Sequence, residues 1–516
     1  MQKNYYAVID IGSNTMRLVI YSQVNSGRLQ EVENVKSVAR LRNYLDNHND
    51  LSEEGINLMI STLQSFKEVA KVYALKEFIC VATATIRQAN NKKKIQEMVK
   101  KHIGWDMRIL SEKEEAYYGY LSVVNSTSIF EGITIDIGGG STEVTYYKDR
   151  ILKESHSFPF GALTLKKFFS DIDNQEEGLA KLRRFLFEEF QTLSWLKGKH
   201  VPIIAIGGSA RNLVQIDQSL RKYPLAGLHQ YKMYDSDIAR VMNYLLPMSK
   251  AELEKVEGLS TDRADTILPA IAVFHSLYQI IGAECFILSR KGLRDGVFYE
   301  RLTRSLKNNL YPNVLEDSIQ ELVHEYSLNM GQIQHIQLLT RKLFVSLKER
   351  GLGSLTQTDW ELLERGCFVY NLGDYIDSES SAQHTFYLLA NRTIDGLMHI
   401  DRLKLALIAS FKNKTIFKQF ISPYKKWFLK RERKKLCLLG AIIKFTYCLD
   451  ATKRQVVQEL DILISSDRIH IKVYCNQDYR PEEYQTQKQK KHLEKALHQS
   501  IELEFINIKA SYHQVP

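Results

Sequence analysis

No run of about 20 consecutive apolar residues occurs in the 516-residue chain, so nothing in it reads as a membrane span. The strongest candidate, 438–449, is short and carries Lys444, which fits a buried helix better. Proline is scarce at nine residues and no low-complexity tract appears, which argues against disorder as an organising theme. The six cysteines (Cys80, Cys285, Cys367, Cys437, Cys448, Cys475) have neither the spacing of a metal knot nor that of a disulfide scaffold. The opening Met-Gln-Lys-Asn-Tyr-Tyr lacks the charged and apolar regions of a secretory signal. A reduced, cytoplasmic protein is expected. Acids are nearly missing from one segment. Between Lys412 and Lys435 ten Lys/Arg stand against Glu432 alone, which places +9 of the formal net charge of +10 there. With Tyr424, Trp427 and Phe428 interleaved, this run suits either a polyanion or a solvated helix face.

What is present is an internal echo. Ala7-Val8-Ile9-Asp10-Ile11-Gly12-Ser13-Asn14-Thr15 resembles Ile133-Thr134-Ile135-Asp136-Ile137-Gly138-Gly139-Gly140-Ser141-Thr142, 126 residues later. In each, an apolar strand ends in Asp-Ile-Gly, passes a small polar turn and resumes as a second strand. Two such hairpins predict duplicated α/β lobes facing each other. Between and after them helical and strand patterns alternate as far as the strand Cys285–Leu288. Strands then vanish. Residues 317–420 carry helical periodicity, and a small α+β module closes the chain. The expected division is 1–125 and 126–305 for the lobes, 306–435 for a helical domain and 436–516 for the final module.

A Gly/Ser/Thr turn between strands aims several backbone N–H groups at one point, where they and the hydroxyls can cradle a phosphate oxygen. Gly12, Ser13, Asn14 and Thr15 form one such turn, and Gly138, Gly139, Gly140, Ser141 and Thr142 the other. Gly207-Gly208-Ser209, after a buried strand, adds Gly208 and Ser209 as phosphate contacts. A single turn of this kind is common and weak evidence; the matched pair is much stronger. Asp10 and Asp136 end their strands just before the turns. A bare carboxylate there would repel phosphate, which favours a role as ligand to Mg²⁺ or Mn²⁺ over an Asx-type turn cap. Glu143 directly follows the second turn, where a further carboxylate could orient water. Glu114 and Glu115 open a predicted helix, where acids are favoured by the helix dipole in any case, yet either could serve as base for water. Arg87 sits at a small-residue turn and Arg294 at a turn entering a helix; each suits a phosphate fork or an ordinary surface pair.

The first turn, Ala82-Thr83-Ala84-Thr85-Ile86-Arg87, Glu114-Glu115-Ala116, Asp136 to Glu143 and Gly292-Leu293-Arg294-Asp295-Gly296 occur in the order found in the exopolyphosphatase/guanosine pentaphosphate phosphatase (Ppx/GppA) family. The chain resembles its long-form bacterial exopolyphosphatases, most specifically over roughly residues 5–300. The resemblance implies duplicated actin-like, ribonuclease-H-like ATPase lobes around a cleft, then an all-α HD-like domain and a small α+β domain. It makes Glu115 the residue that activates water, with Glu114 as the alternative, and Asp136 and Glu143 the metal ligands. Arg87 would hold the terminal phosphate. A homodimer is implied as well.

The HD-like domain departs from a working metal site. Where adjacent His and Asp are needed, the chain has Tyr370-Asn371 before Leu372-Gly373, so no second hydrolase is expected there; His335, His384 and His399 remain without that pair. The expected activity is metal-dependent hydrolysis of the terminal phosphate of inorganic polyphosphate. Lys425, Lys426, Lys430, Arg431, Arg433, Lys434 and Lys435 would serve as a track for the long polyanion, with no obligate nucleic-acid partner. The alternatives are guanosine pentaphosphate hydrolysis, with guanosine tetra- and pentaphosphate as ligands, or a sensor that binds polyphosphate or alarmone without turnover. An ATP-dependent kinase fits less well, because the Glu-Glu-Ala and Gly-Leu-Arg-Asp-Gly segments match the phosphatases.

Overall fold

Alternating apolar residues from Asn4 onward build two sheets of the same design. The computed structural model describes residues 4–23, 29–170 and 175–508. The first sheet contains β1 (Asn4–Ile11), β2 (Met16–Gln23), β3 (Leu29–Ser37), β4 (Leu75–Ala82) and β5 (Met107–Ile109), in the order β3-β2-β1-β4-β5. The second contains β6 (Gly132–Ile137), β7 (Thr142–Lys148), β8 (Ile151–Phe158), β9 (Ile203–Ile206), β10 (Lys232–Met233) and β11 (Phe286–Leu288), in the order β10-β11-β9-β6-β7-β8. Each begins with an antiparallel meander of three strands and continues with two parallel ones. The second lobe adds only the short β10 at its edge. The echo read in the sequence is thus a duplicated actin-like lobe.

Helices cover both sheets because the parallel connections must cross a face. Glu53–Lys71 starts at Ser52, whose hydroxyl accepts from Gly55 N, and buries Ile56, Met59, Leu63 and Phe66. Ile267–Ile281 is apolar nearly all round and lies wholly inside the second lobe. The strand β3 carries little apolar signal, since it is a sheet edge with most side chains in solvent. Gly207-Gly208-Ser209, expected as a turn, instead opens the helix Gly207–Leu220.

The lobes are joined by two helices that cross between them. Glu112–Val124 follows the first sheet yet packs Leu121, Val123 and Val124 on Ile204 and Ile206 of the second. Leu293–Leu302 follows the second sheet and returns Phe298 to Tyr6, Val8, Val19 and Tyr21 of the first. The two helices meet where Gly296 lies directly against the backbone carbonyl of Tyr118.

The chain divides into two compact units, residues 1–223 with 227–317, and residues 224–226 with 318–516. The second unit begins with helices that include Met330–Glu349, Gln357–Val369, His399–Ala409 and Lys430–Cys448, burying Leu343, Leu363, Leu403 and Leu439. Its sheet joins β12 (Val457–Ile464), β13 (Arg468–Cys475) and β14 (Ser500–Asn507) in that order. The hairpin β12–β13 and the parallel pair β13–β14 enclose the helices Arg480–Gln489 and Lys491–Leu497.

At the helix crossing, Gly296→Ala has no room for its methyl without moving backbone. It is expected to destabilise the first unit by about 1–3 kcal/mol, the usual cost of overpacking. An earlier urea-unfolding midpoint at unchanged slope would be the signature.

Candidate active site

The two glycine turns are closed by the same bond. Gly12 N donates to Thr15 O at 3.0 Å, and Gly138 N donates to Ser141 O at 2.9 Å. Their tips meet: a Cβ on Gly139 would stand 3.0 Å from Ser13 Cβ, and one on Gly140 3.7 Å from Ser13 Oγ. Between the lobes lies a cleft of about 200 Å³, lined by Gly12, Ser13, Asn14 and Thr15 from one turn and Gly138, Gly139 and Ser141 from the other. Strand register then makes the hairpins chemically unequal. Asp10 is paired across its hairpin with Arg17, and Asp136 across its own with Glu143. Equivalent positions carry opposite charge.

Four carboxyl groups collect at this point. Burial raises the Asp10 carboxyl, against the pull of Arg294, whose Nη1 lies 3.2 Å from Oδ2. Burial, then the charge of Asp10, pushes Asp136 up to about 6. Glu115 is pushed up to about 7, first by burial; Arg87 opposes this at 2.8 Å while Asp136 and Asp10 add to it. Glu143 is raised well above the usual range by burial and then by Glu115, although Ser157 donates to it at 3.0 Å. Asp136 rests against Gly207, whose φ of +87° and lack of a Cβ admit the carboxylate. Neither Asp136 nor Glu143 has a Lys, Arg or His within 4.0 Å among the described residues. Hard, acid-only oxygens without a counter-cation suit Mg²⁺ or Mn²⁺. Among the described residues no three His, Cys, Asp or Glu side chains converge tightly enough to cage a metal. A Mg²⁺ site that takes one or two carboxylates and completes its shell with water and phosphate fits that arrangement.

Glu114 and Glu115 part company because adjacent helical positions point about 100° apart. Glu114 takes the capping place: Ser111 N and Oγ donate to it at 2.8 and 2.7 Å, and Arg108 pairs with it. Burial is the largest single influence and opposes ionisation, but the bonds from Ser111 and Arg108 together outweigh it and hold the carboxyl down to about 2. It does not line the cleft, so the structure gives this alternative base a capping role instead; Glu115 does line the cleft.

Most of the cleft's cations were not singled out from the sequence. Arg17, Lys36, Arg211, Arg263, Arg290 and Arg294 all line it, against Asp10, Glu115 and Asp136. Arg211 is pushed down to about 10, by burial first and then by Arg290, Arg17, Arg294 and Arg263. Arg263 lies flat over Gly208, where any side chain would collide with it, and donates to Ser209 Oγ at 3.3 Å. Lys36 bonds Asp262 across the lobes at 2.9 Å. Single arginines inside ordinary helices and turns carry no local signal. Only Arg17 had one, as the counterpart of Glu143 in the echo. Of the sequence-derived candidates, Gly140, Thr142, Arg87, Glu143 and Ser209 stand behind the lining. The Thr142 hydroxyl is committed to Phe160 O at 2.8 Å.

In the second unit the basic run belongs to the 3-10 turn Ser422–Trp427 and the start of Lys430–Cys448. That helix begins eight residues before the apolar stretch 438–449, and Glu432 accepts from Leu429 N at 2.7 Å at its start. Lys425, Lys426, Lys430, Arg431 and Lys434 are exposed and Arg433 half-buried; Lys435 is bonded to Asp359 at 2.8 Å. At the HD position, half-buried Tyr370 packs on Tyr447 with ring centroids 4.4 Å apart, and Asn371 takes a left-handed turn.

Residues 19–305 match the Ppx/GppA phosphatase family, and residues 314–499 match domain III of Ppx/GppA phosphatases. Among solved structures, a Ppx/GppA family member from Aquifex aeolicus is 26% identical, covering 60% of this chain and all of its own, with a TM-score of 0.53. The Aquifex aeolicus PPX-GPPA enzyme gives 28% identity, 58% and 99% coverage and 0.51. An exopolyphosphatase from Cytophaga hutchinsonii, 22% identical over 59% of this chain and 99% of its own, shares the fold at 0.53. With the second glycine turn, Glu115, Asp136, Glu143 and both crossed helices inside the match over residues 19–305, this chain belongs to the Ppx/GppA phosphatase family.

Proposed function

We propose that the chain hydrolyses the terminal phosphoanhydride bond of inorganic polyphosphate and releases orthophosphate. The observation that carries the choice of substrate is the cleft lining: five arginines and one lysine, three acids and no aromatic ring. A repeating polyanion satisfies those guanidiniums, of which only Arg294 has a carboxylate within hydrogen-bond reach in the cleft. A purine would find no ring to stack on among the lining residues, which favours a bare phosphate chain over guanosine pentaphosphate.

In this reading the turn amides of 13–15 and 139–141 hold the terminal phosphates, and Glu115 Oε accepts a proton from water. The water oxygen attacks the terminal phosphorus, and the bridging oxygen leaves on the shortened chain. A base with a pKa near 7 is matched to this task. Asp136 and Glu143 would hold Mg²⁺ or Mn²⁺, which when bound offsets negative charge on the phosphates. Arg87 is tied to Glu115 through Nη1 but keeps Nε and Nη2 buried without a hydrogen-bond partner. Those two N–H groups suit a phosphoryl oxygen.

Glu115→Gln should lower phosphate release from polyphosphate by about 10²–10⁴-fold while leaving substrate binding nearly intact. Full activity in that variant would remove Glu115 from the mechanism. The wild-type protein should release phosphate from long polyphosphate faster than it converts guanosine pentaphosphate to tetraphosphate. The reverse ratio would establish the nucleotide reading, and binding of either without turnover the sensor.

We propose that the exposed basic run adds a charge-based grip on long polyphosphate. Replacing Lys425, Lys426, Lys430 and Lys434 together by Gln should raise KM for long polyphosphate and flatten its salt dependence, with tripolyphosphate unchanged. Equal losses on both substrates would discard the track.

A further inference from the structure

The second unit carries a further basic surface, built by six lysines that are not part of the polyphosphate track. The helix Lys414–Ile421 is capped by Asn413, whose Oδ1 accepts from Thr415 N and Ile416 N at 2.9 and 3.0 Å. Lys414 and Lys418, four residues apart, share one face of it, and Lys412 precedes the cap. Lys491 and Lys495 share a face of Lys491–Leu497 in the same way. Between the two groups, near the end of Lys430–Cys448, Lys444 donates through Nζ to Lys412 O. Phe411 forms the floor: it packs against Gly440, and its ring meets that of His492 edge to face with centroids 6.4 Å apart.

These charges are of one sign and unpaired. Lys412, Lys414, Lys418, Lys491 and Lys495 are exposed and Lys444 is half-buried. Among the described residues none of the six has a carboxylate within 4.0 Å; Glu494, the acid of Lys491–Leu497, lies 3.4 Å from Lys490 and accepts from Ile501 N at 2.9 Å instead. The lysines act on one another. Burial holds Lys444 below its usual pKa, and Lys412 and Lys491 add to this against the pull of Cys448. His492 is pushed down to about 4, by burial first and then by Lys444, Lys491 and Lys495. Lys414 and Lys418 act on Cys437, two turns before Lys444 on the same helix. Crowded like charges repel, and a polyanion laid across them relieves that repulsion.

What this surface lacks narrows the partner. Phe411, Phe417 and Leu493 are buried, and among the described residues no large apolar side chain is exposed within 411–418, 437–448 or 491–497. A face that enters lipid needs such side chains, and a single-strand site needs exposed rings on which bases stack. Lysines on three separate elements form an area and not a single file. That suits the two phosphate rows of a duplex better than one extended chain.

We propose that this surface binds a nucleic-acid duplex through its phosphates, without reading the bases. The inference does not rest on the phosphatase reading. The test is fluorescence anisotropy of short labelled duplexes, one of RNA and one of DNA, with the full chain over a series of salt concentrations. Binding should weaken with salt at a log–log slope of about −3 to −5, the range for three to six neutralised phosphates. Replacing Lys444, Lys491 and Lys495 together by Gln should weaken binding about tenfold or more at low salt and reduce the slope by about 3. Lys491→Gln with Lys495→Gln, both in solvent, is the second variant and should reduce it by about 2 at an unchanged melting temperature. Binding of either duplex upholds the proposal, and the tighter one names the source. Failure of both duplexes to bind, or an unchanged slope in both variants, overturns it. So does a loss confined to the protein with Lys425, Lys426, Lys430 and Lys434 replaced by Gln. Long polyphosphate or vesicles of anionic lipid captured by these lysines in place of a duplex would overturn it as well.

Discussion

Mutual repulsion among Asp10, Glu115, Asp136 and Glu143 is the constraint to which the rest of the first unit answers. Burial raises all four, and all but Asp10 feel a further push from a neighbouring carboxylate. Such a cluster is tolerable only if opposite charge is supplied, and the fold supplies it unevenly. Arg87 sits on Glu115 and Arg294 on Asp10, while among the described residues Asp136 and Glu143 have no side-chain cation within 4.0 Å. That asymmetry leaves two of the four carboxyls paired with guanidiniums and two without a counter-cation.

The division comes from duplication followed by divergence at a single register position. Both lobes place an Asp at the end of the central strand and a charged residue opposite it across the hairpin. In the first lobe that residue is Arg17 and in the second Glu143. The strand register and the bond that closes the turn are shared. The crossed helices keep the halves in register: each buries its apolar face in the opposite lobe, and the contact of Gly296 with Tyr118 permits their close approach.

The duplicated lobes, the helix beginning at Glu112, the helical region after residue 313 and the terminal hairpin were legible because each rests on local periodicity or a cap. The basic cleft was not. Arg211, Arg263 and Arg290 belong to three separate segments that meet only after the second sheet has closed, so no spacing along the chain links them. Nor could sequence decide between Glu114 and Glu115. That choice depended on Arg108 and Ser111 occupying the first of them.

By itself the sequence determined the two glycine turns, the acids that flank them, and the presence of Tyr370-Asn371 where a His-Asp pair would be needed. Those are properties of residue type and short-range order, which backbone geometry preserves whatever the lobes do. The tertiary structure alone decided which groups face the cleft and which of the adjacent carboxyls, Glu114 or Glu115, is taken up by capping bonds. These depend on distances between segments far apart in the chain. Burial and charge, not neighbouring residues, set their chemistry.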